Sequence, residues 1–281
     1  MTIFKKPDVR LLSHSSPMIA EIAARTCYDS FNRANHDYIK HGLYREEHVL
    51  PSDYESELAE SLVHVHHHES ISEHVVVSYE VRGVSRGVLQ ELARHRIGTS
   101  MSVKSTRYTM TDLLIAYHVS NGCDIAFYTL VENHLRPMFC VPPKLIQIEV
   151  HKILQMLVLM EVQIGREQMM ANTLSKVQID FLNEAETGPL HTSDKDREYR
   201  YSEMVKMKSK RNAGDTVKHI VSDVWSTDLV LTMNARSLKH FMGLRDSGAT
   251  WEPMRELAKS LFTVTPKNIQ ALVYRRKNEK E

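Results

Sequence analysis

The sequence predicts a soluble, globular chain that mixes helices with strands. Three observations carry this: a β-branched and aromatic run from Val75 to Val81, several amphipathic segments opened by Ser or Pro, and enough apolar residues to bury a core. At 281 residues, 42% hydrophobic and 25% charged, the chain can form one domain, or one domain with an insertion. Lys and Arg total 36 against 35 acidic residues, so the net charge of +1 demands neither a nucleic acid nor a membrane. Cys27, Cys123 and Cys140 are odd in number and widely spaced, which suits reduced thiols in a cytoplasmic protein better than disulfides or a zinc site. The N-terminus lacks the apolar run of a signal peptide, and no segment approaches the roughly 18 to 20 apolar residues that span a bilayer.

In chain order, Val9-Arg10-Leu11-Leu12 reads as a strand. Ser15 or Ser16 followed by Pro17 opens a helix through Ala24 to Cys27, because Ser caps and Pro suits the first turn. Residues 29–51 are polar and aromatic and suggest no function. Ser52-Asp53 caps a helix from Glu55 to His67, with Leu58, Leu62 and Val65 on one face. The run Val75 to Val81, bounded by Gly83, is a strand. Ser85 caps a helix from Arg86 to about Arg96, whose apolar stripe is Val88, Leu89 and Leu92.

A long helical stretch, Lys144 to Asn183, begins after Pro142-Pro143 and repeats apolar residues at Ile146, Val150, Ile153, Leu154, Leu157 and Met160. Its Met-rich face suits a core or an oligomer interface. The charged stretch His191 to Arg211 interleaves both signs and reads as a solvated loop or helix face, with nucleic-acid contact the lesser alternative. The last third reads as two helices. The first runs from Asp215 through Trp225 to Asn234. The second runs from Ala235 to Leu244, with Leu238, Phe241 and Met242 on one side, so that Asn234, Arg236, His240 and Arg245 face a common surface. Ala258 to Val264 continues helically, and Pro266 to Tyr274 closes the fold before a basic tail.

Chemistry concentrates between His68 and Tyr108. Arg94-His95-Arg96 and Arg107 place three guanidiniums and an imidazole beside Thr99, Ser100, Ser102, Ser105 and Thr106. Arg forks match phosphate geometry bidentately and hydroxyls satisfy the remaining oxygens, so the set suits a phosphorylated ligand. The triplet taken alone also describes a solvated helix end. His64, His66, His67, His68 and His74 invite a metal, but adjacent helical residues point apart and no Asp or Cys completes a ligand set; no metal is expected.

Four blocks, in order, resemble the flavin-dependent thymidylate synthases. They are Ala23-Ala24-Arg25-Thr26-Cys27-Tyr28; His68-Glu69-Ser70-Ile71-Ser72-Glu73-His74; Arg94-His95-Arg96 with Ser105-Thr106-Arg107-Tyr108; and Asn234-Ala235-Arg236-Ser237-Leu238-Lys239-His240-Phe241 with Leu244-Arg245. The resemblance implies an α+β subunit of that family's fold, here a single domain over 1–281 with a mostly helical insertion at about 111–212. It implies a homotetramer with active sites between subunits. Such an enzyme binds FAD, takes reducing equivalents from NADPH and a carbon from methylenetetrahydrofolate, and converts dUMP to dTMP without a cysteine nucleophile. His68, Ser70, Arg94, His95, Arg96, Asn234 and His240 resemble FAD-binding positions. Glu91, Arg94, Ser105, Arg107, Lys218 and Arg245 resemble dUMP-binding positions, and Arg245 is the catalytic candidate, placed to polarise a pyrimidine carbonyl as charge develops. Ser105 has no evident general base and is not read as a nucleophile. The same likeness gives Arg25 a structural or site-adjacent role as an alternative to a surface charge. It favours a functional surface for Arg236 over a buried ion pair.

The chain departs from the family pattern in places. Eight residues, Ile97 to Lys104, separate the triplet from Ser105 where seven are usual; Glu91 stands where a Gln is common, Lys218 where an Arg is, and Thr250 where a Gln is. Two other readings follow: an enzyme of the same fold that modifies C5 of another pyrimidine deoxynucleotide, or a non-catalytic protein that binds nucleotide, flavin or RNA.

Overall fold

The computed structural model describes residues 6–46, 49–105, 225–245 and 249–274, together with Ile148 and Asp223. The reading of 111–212 as a helical insertion, the helix at Lys144 to Asn183 and the charged stretch to Arg211 therefore lie outside the described residues, Ile148 apart. Backbone contacts divide the chain into two compact units. One comprises residues 6–82, 88–103 and 228–281, and the other 1–5, 83–87 and 104–227.

The larger described part is α+β. Its sheet has four strands, β1 (Asp8–His14), β2 (Val76–Ser85), β3 (Thr99–Val103) and β4 (Ser226–Asn234), in the order β1-β2-β4-β3. β1 pairs antiparallel with β2, with Val9 opposite Val81, and a bulge between Leu11 and Ser13 leaves Leu12 exposed on the edge. β3 pairs antiparallel with β4, with Met101 opposite Leu231. Alternation drives both central strands. Val77, Tyr79 and Val81 on β2, and Thr227, Leu229, Leu231 and Met233 on β4, are buried while their neighbours are not.

β4 corrects the sequence reading, which made Trp225 to Asn234 helical. Leu229, Leu231 and Met233 recur at every second position and are buried on one sheet face with Thr227, while Val230 on the other face is exposed. β2 also runs on to Ser85, through Gly83 at φ 74, beyond the expected stop.

The helices are α1 (Met18–Tyr28), α2 (Asp37–Lys40), α3 (Glu57–His64), α4 (Arg86–Leu92), α5 (Ala235–Arg245), α6 (Glu252–Val264) and α7 (Lys267–Val273). Short 3-10 helices cover Phe31–Arg33, Leu43–Arg45 and Glu69–His74. α3 starts later than expected because Ser56, not Ser52 or Asp53, accepts the Ala59 N–H at 3.1 Å. Its buried residues are Ala59 and Val63, whereas Val65, placed on the apolar stripe by sequence, is half exposed past the helix end. α6 extends well before Ala258, opened by Pro253 in its first turn.

Arg25 is not a surface charge. It is buried, donates from Nε to Glu21 Oε1 at 2.8 Å and from Nη1 to the Ser30 carbonyl at 3.0 Å. Glu21 accepts also from Tyr54 Oη at 2.8 Å and Ser56 Oγ at 2.6 Å, so one carboxylate joins α1 to the start of α3. Burial, then the Glu21 contact, pushes the Tyr54 phenol up. Among the described residues no helix is long and apolar enough to cross a membrane.

Candidate active site

α4 stops at Leu92, and the triplet lies beyond it rather than on its last turn. His95 N–H still reaches the Leu92 carbonyl at 2.9 Å, after which Gly98, at φ 62, turns the chain into β3. The hydroxyl-rich segment expected as a loop is therefore a strand over Thr99–Val103.

This turn is locked to the start of α5. The Gly98 carbonyl accepts the Asn234 N–H at 2.9 Å, Ser237 Oγ donates to the Ile97 carbonyl at 2.6 Å, and Asn234 Oδ1 accepts the Ser237 N–H at 2.8 Å. A Cβ on Gly98 would stand 2.3 Å from Asn234 Nδ2 and 2.5 Å from Ser237 Oγ. Only glycine meets both demands, left-handed φ and no side chain. Asn234 is thus the cap of α5, a signal present in its spacing from Ser237.

Locking the turn sets His95 against α5. Its ring lies 5.1 Å from Phe241, edge to face, and 6.1 Å from His240. Arg245, at the far end of α5, donates from Nη2 to Glu91 Oε2 at 3.2 Å, and the same nitrogen lies 3.3 Å from His95 Nε2. A guanidinium can only donate, so that bond assigns Nε2 as the acceptor and any proton of the neutral ring to Nδ1. Burial first, then Arg245 and His240, holds the His95 pKa below the ordinary histidine range. The Arg245 side chain is 18% exposed, and its buried Nε has no hydrogen-bond partner among the described residues.

Two cations face outward. Arg94 is 74% exposed and keeps only a 3.4 Å contact with Glu91, and exposed Arg96 makes no hydrogen bond or ion pair among the described residues. Glu91 therefore stands between Arg94 and Arg245. Exposed His68 and Ser70 belong to the turn and 3-10 helix that pack on α5, where Lys239 donates to Glu69 at 2.6 Å and Arg236 pairs with Glu73. Arg236 is half exposed, so its ion pair is not a buried one. Of these acidic partners the sequence singles out Glu91, and gives Glu69 and Glu73 no role of their own.

Glu91, Arg94, His95, His240 and Arg245 are thus brought together, with Asn234 fastening the turn beside them. Ser105 is half-buried just past β3 and belongs to the other unit, and Arg107 and Lys218 lie outside the described residues. His64, from the histidine run, bonds to the Ala271 carbonyl at 2.8 Å through Nε2. Among the described residues no group of three or more His, Cys, Asp or Glu could hold a metal.

A sequence profile described as thymidylate synthase complementing protein matches residues 10–268. The flavin-dependent thymidylate synthase of Helicobacter pylori is 27% identical over 93% of this chain and 95% of its own length. That of Wolinella succinogenes is 27% identical over 92% and 93%. Thymidylate synthase X of Helicobacter pylori, solved with FAD and dUMP, aligns with a TM-score of 0.49 and 24% identity over 95% of this chain and 97% of that one. With a profile match across all four blocks and a cluster that joins two of them, the chain belongs to the thymidylate synthase complementing protein family, the flavin-dependent thymidylate synthases.

Proposed function

We propose that this chain converts dUMP to dTMP with FAD as cofactor, NADPH as reductant and methylenetetrahydrofolate as carbon donor. Family membership supports this, and the observation that carries it to particular residues is Arg245, whose buried Nε lacks a partner beside a neutral His95. An orphaned guanidinium donor in a half-buried site fits an incoming oxygen acceptor. Exposed Arg94 and Arg96, and exposed His68 and Ser70 on the turn packed against α5, fit an anionic diphosphate such as that of FAD.

When bound, FAD supplies the redox step; in balance, the methylene carbon and a hydride equivalent replace the C5 proton of dUMP, leaving tetrahydrofolate and NADP. The chain's own work is electrostatic. Arg245 donates to a pyrimidine carbonyl and stabilises the charge that develops there, while Glu91 and His95 hold its Nη2. Arg94, with Ser105, Arg107 and Lys218, holds the nucleotide. His95, His240, Arg96, His68, Ser70 and Asn234 line the flavin side. The active unit is a homotetramer with sites between subunits, each subunit one domain with an insertion at about 111–212, working in the cytoplasm, where the exposed Cys27 thiol stays reduced.

The test is tritium release from [5-³H]dUMP by the purified chain, omitting FAD, NADPH or methylenetetrahydrofolate in turn. Release that needs all three, with dTMP as product, is expected. Release from the dCMP equivalent instead would transfer the reading to another pyrimidine deoxynucleotide, for which the Glu91 carboxylate is the motive.

A further inference from the structure

One ammonium ties down the turn that carries His68. Lys239 donates from Nζ to Glu69 Oε1 at 2.6 Å and to the Val63 carbonyl at 3.5 Å. Val63 contributes one of the last carbonyls of α3, and Glu69 is the first residue of the following 3-10 helix. Between them runs the connection Val65–His68, with His67 at φ 57, a left-handed conformation uncommon outside glycine. A single cation therefore bridges both ends of a short, unfavourable piece of backbone.

The bridge is partly shielded, the two side chains being 25% and 31% exposed. The hydrogen bond from Lys239 comes first among the causes that hold the Glu69 carboxyl below its usual range. Arg236 Nε stands 3.6 Å from the same carboxylate and adds to it. Lys239 follows Leu238, which is buried, and precedes His240, which neighbours His95; successive helical residues diverge, so Lys239 serves the His68 turn and not the imidazole pair.

We propose that Lys239 is a positioning residue, which with Glu69 clasps the Val65–His68 connection and so sets where His68 and Ser70 stand. The inference rests on the reading of those two residues as flavin contacts. Without the clasp, the backbone bonds from His66 N–H to the Ser61 carbonyl at 3.3 Å and from His68 N–H to the Leu62 carbonyl at 2.9 Å are left to hold a left-handed residue in place, and the turn samples other conformations before flavin binds.

The test uses the full chain as wild type, Lys239→Met, Lys239→Arg and Glu69→Gln. Two quantities are read: amide exchange over residues 65–70, and FAD affinity from flavin fluorescence. Supporting groups one bond removed from a ligand cost about 10- to 100-fold at metal sites, and the lower end is expected here. Lys239→Met and Glu69→Gln should speed exchange at 65–70 but not in α6, and weaken FAD about tenfold. Lys239→Arg should restore both to within about threefold, which a merely structural loss of packing would not show. If Lys239→Met does not fold, Glu69→Gln, which keeps the side-chain shape, decides. Unchanged exchange in both variants overturns the clasp; faster exchange with wild-type FAD affinity overturns the positioning role. A wild-type chain that bound no flavin would instead strike the reading of His68 and Ser70 beneath it.

Discussion

Arg245 is held through Nη2 and leaves its buried Nε unpaired among the described residues, and that asymmetry determines what its loss should do. Its Nη2 is shared between Glu91 and His95, so Arg245→Ala removes the donor without touching Arg94, Arg96 or the turn at Gly98. Tritium release from dUMP should fall about 100- to 1,000-fold, as on loss of an oxyanion donor, while most flavin stays bound. A variant that kept full turnover would sink the assignment. Glu91→Gln keeps an acceptor for Arg245 and removes the one negative charge between two arginines. The anionic nucleotide should then bind about three- to tenfold tighter, an effect of roughly 1 kcal/mol that added salt diminishes. His95 has a pKa depressed by burial, so below about 6.5 the unfolded chain binds a proton that the folded one resists. Its contribution to stability is present above that pH and is lost as pH falls from there towards the folded value. Urea denaturation of wild type and His95→Gln between pH 5 and 8 checks this: the difference between the two should narrow or reverse on acidification. The guanidiniums and hydroxyls of this site could be read from residue type and order. The pairing of Glu91 with Arg245 could not, because it depends on which faces of α4 and α5 meet across a separation of 154 positions.

At the scale of elements, the join between the Gly98 turn and the α5 cap organises the site. Gly98→Ala brings a Cβ onto Asn234 and Ser237 and strains a positive φ, at a cost of about 1–3 kcal/mol. The melting temperature should drop by about 2–4 °C per kcal/mol, and activity should fall with it as His95 loses its seat on Phe241. Asn234 separates two roles. Asn234→Asp keeps the acceptor for the Ser237 N–H, whereas Asn234→Ala loses it, at about 1 kcal/mol. If Asn234 also contacts flavin through its amide nitrogen, Asn234→Asp should retain stability and lose FAD affinity. The start of α1 is legible in the sequence, since Ser16 and Pro17 act locally, whereas α3 begins at the Ser56 cap and not at Ser52-Asp53, and α6 begins at Glu252, well before Ala258. The sequence reads Trp225 to Asn234 as the first of two helices, because the buried every-second-residue pattern of Leu229, Leu231 and Met233 has meaning only once β2 and β3 flank β4. The triplet was likewise set on a helix that ends two residues earlier, at a turn made by contacts from distant α5.

For the whole molecule, the order β1-β2-β4-β3 places strands next to each other that the chain separates widely, as the 2.9 Å contact of Ser78 with Thr232 illustrates. Such neighbours leave no local trace, so class was readable from sequence and sheet order was not. If the active sites lie between subunits, quaternary state and cofactor should be coupled. Light scattering is expected to give a mass four times that of the 32.4 kDa chain, with FAD lost on dilution below the assembly threshold. A monomer that bound flavin and turned over would refute that arrangement. The first of the four family blocks behaves differently from the rest. Its arginine, Arg25, is sealed in with Glu21, Tyr54 and Ser56, where it joins helices and takes no part in the cluster around His95. A sequence comparison that gives weight to this block is detecting ancestry of architecture. A descendant whose Arg245 had been replaced would still be recognised by it, so within this lineage a match at α1 is a statement about how the chain folds, and the residue at the end of α5 must be inspected before turnover is inferred.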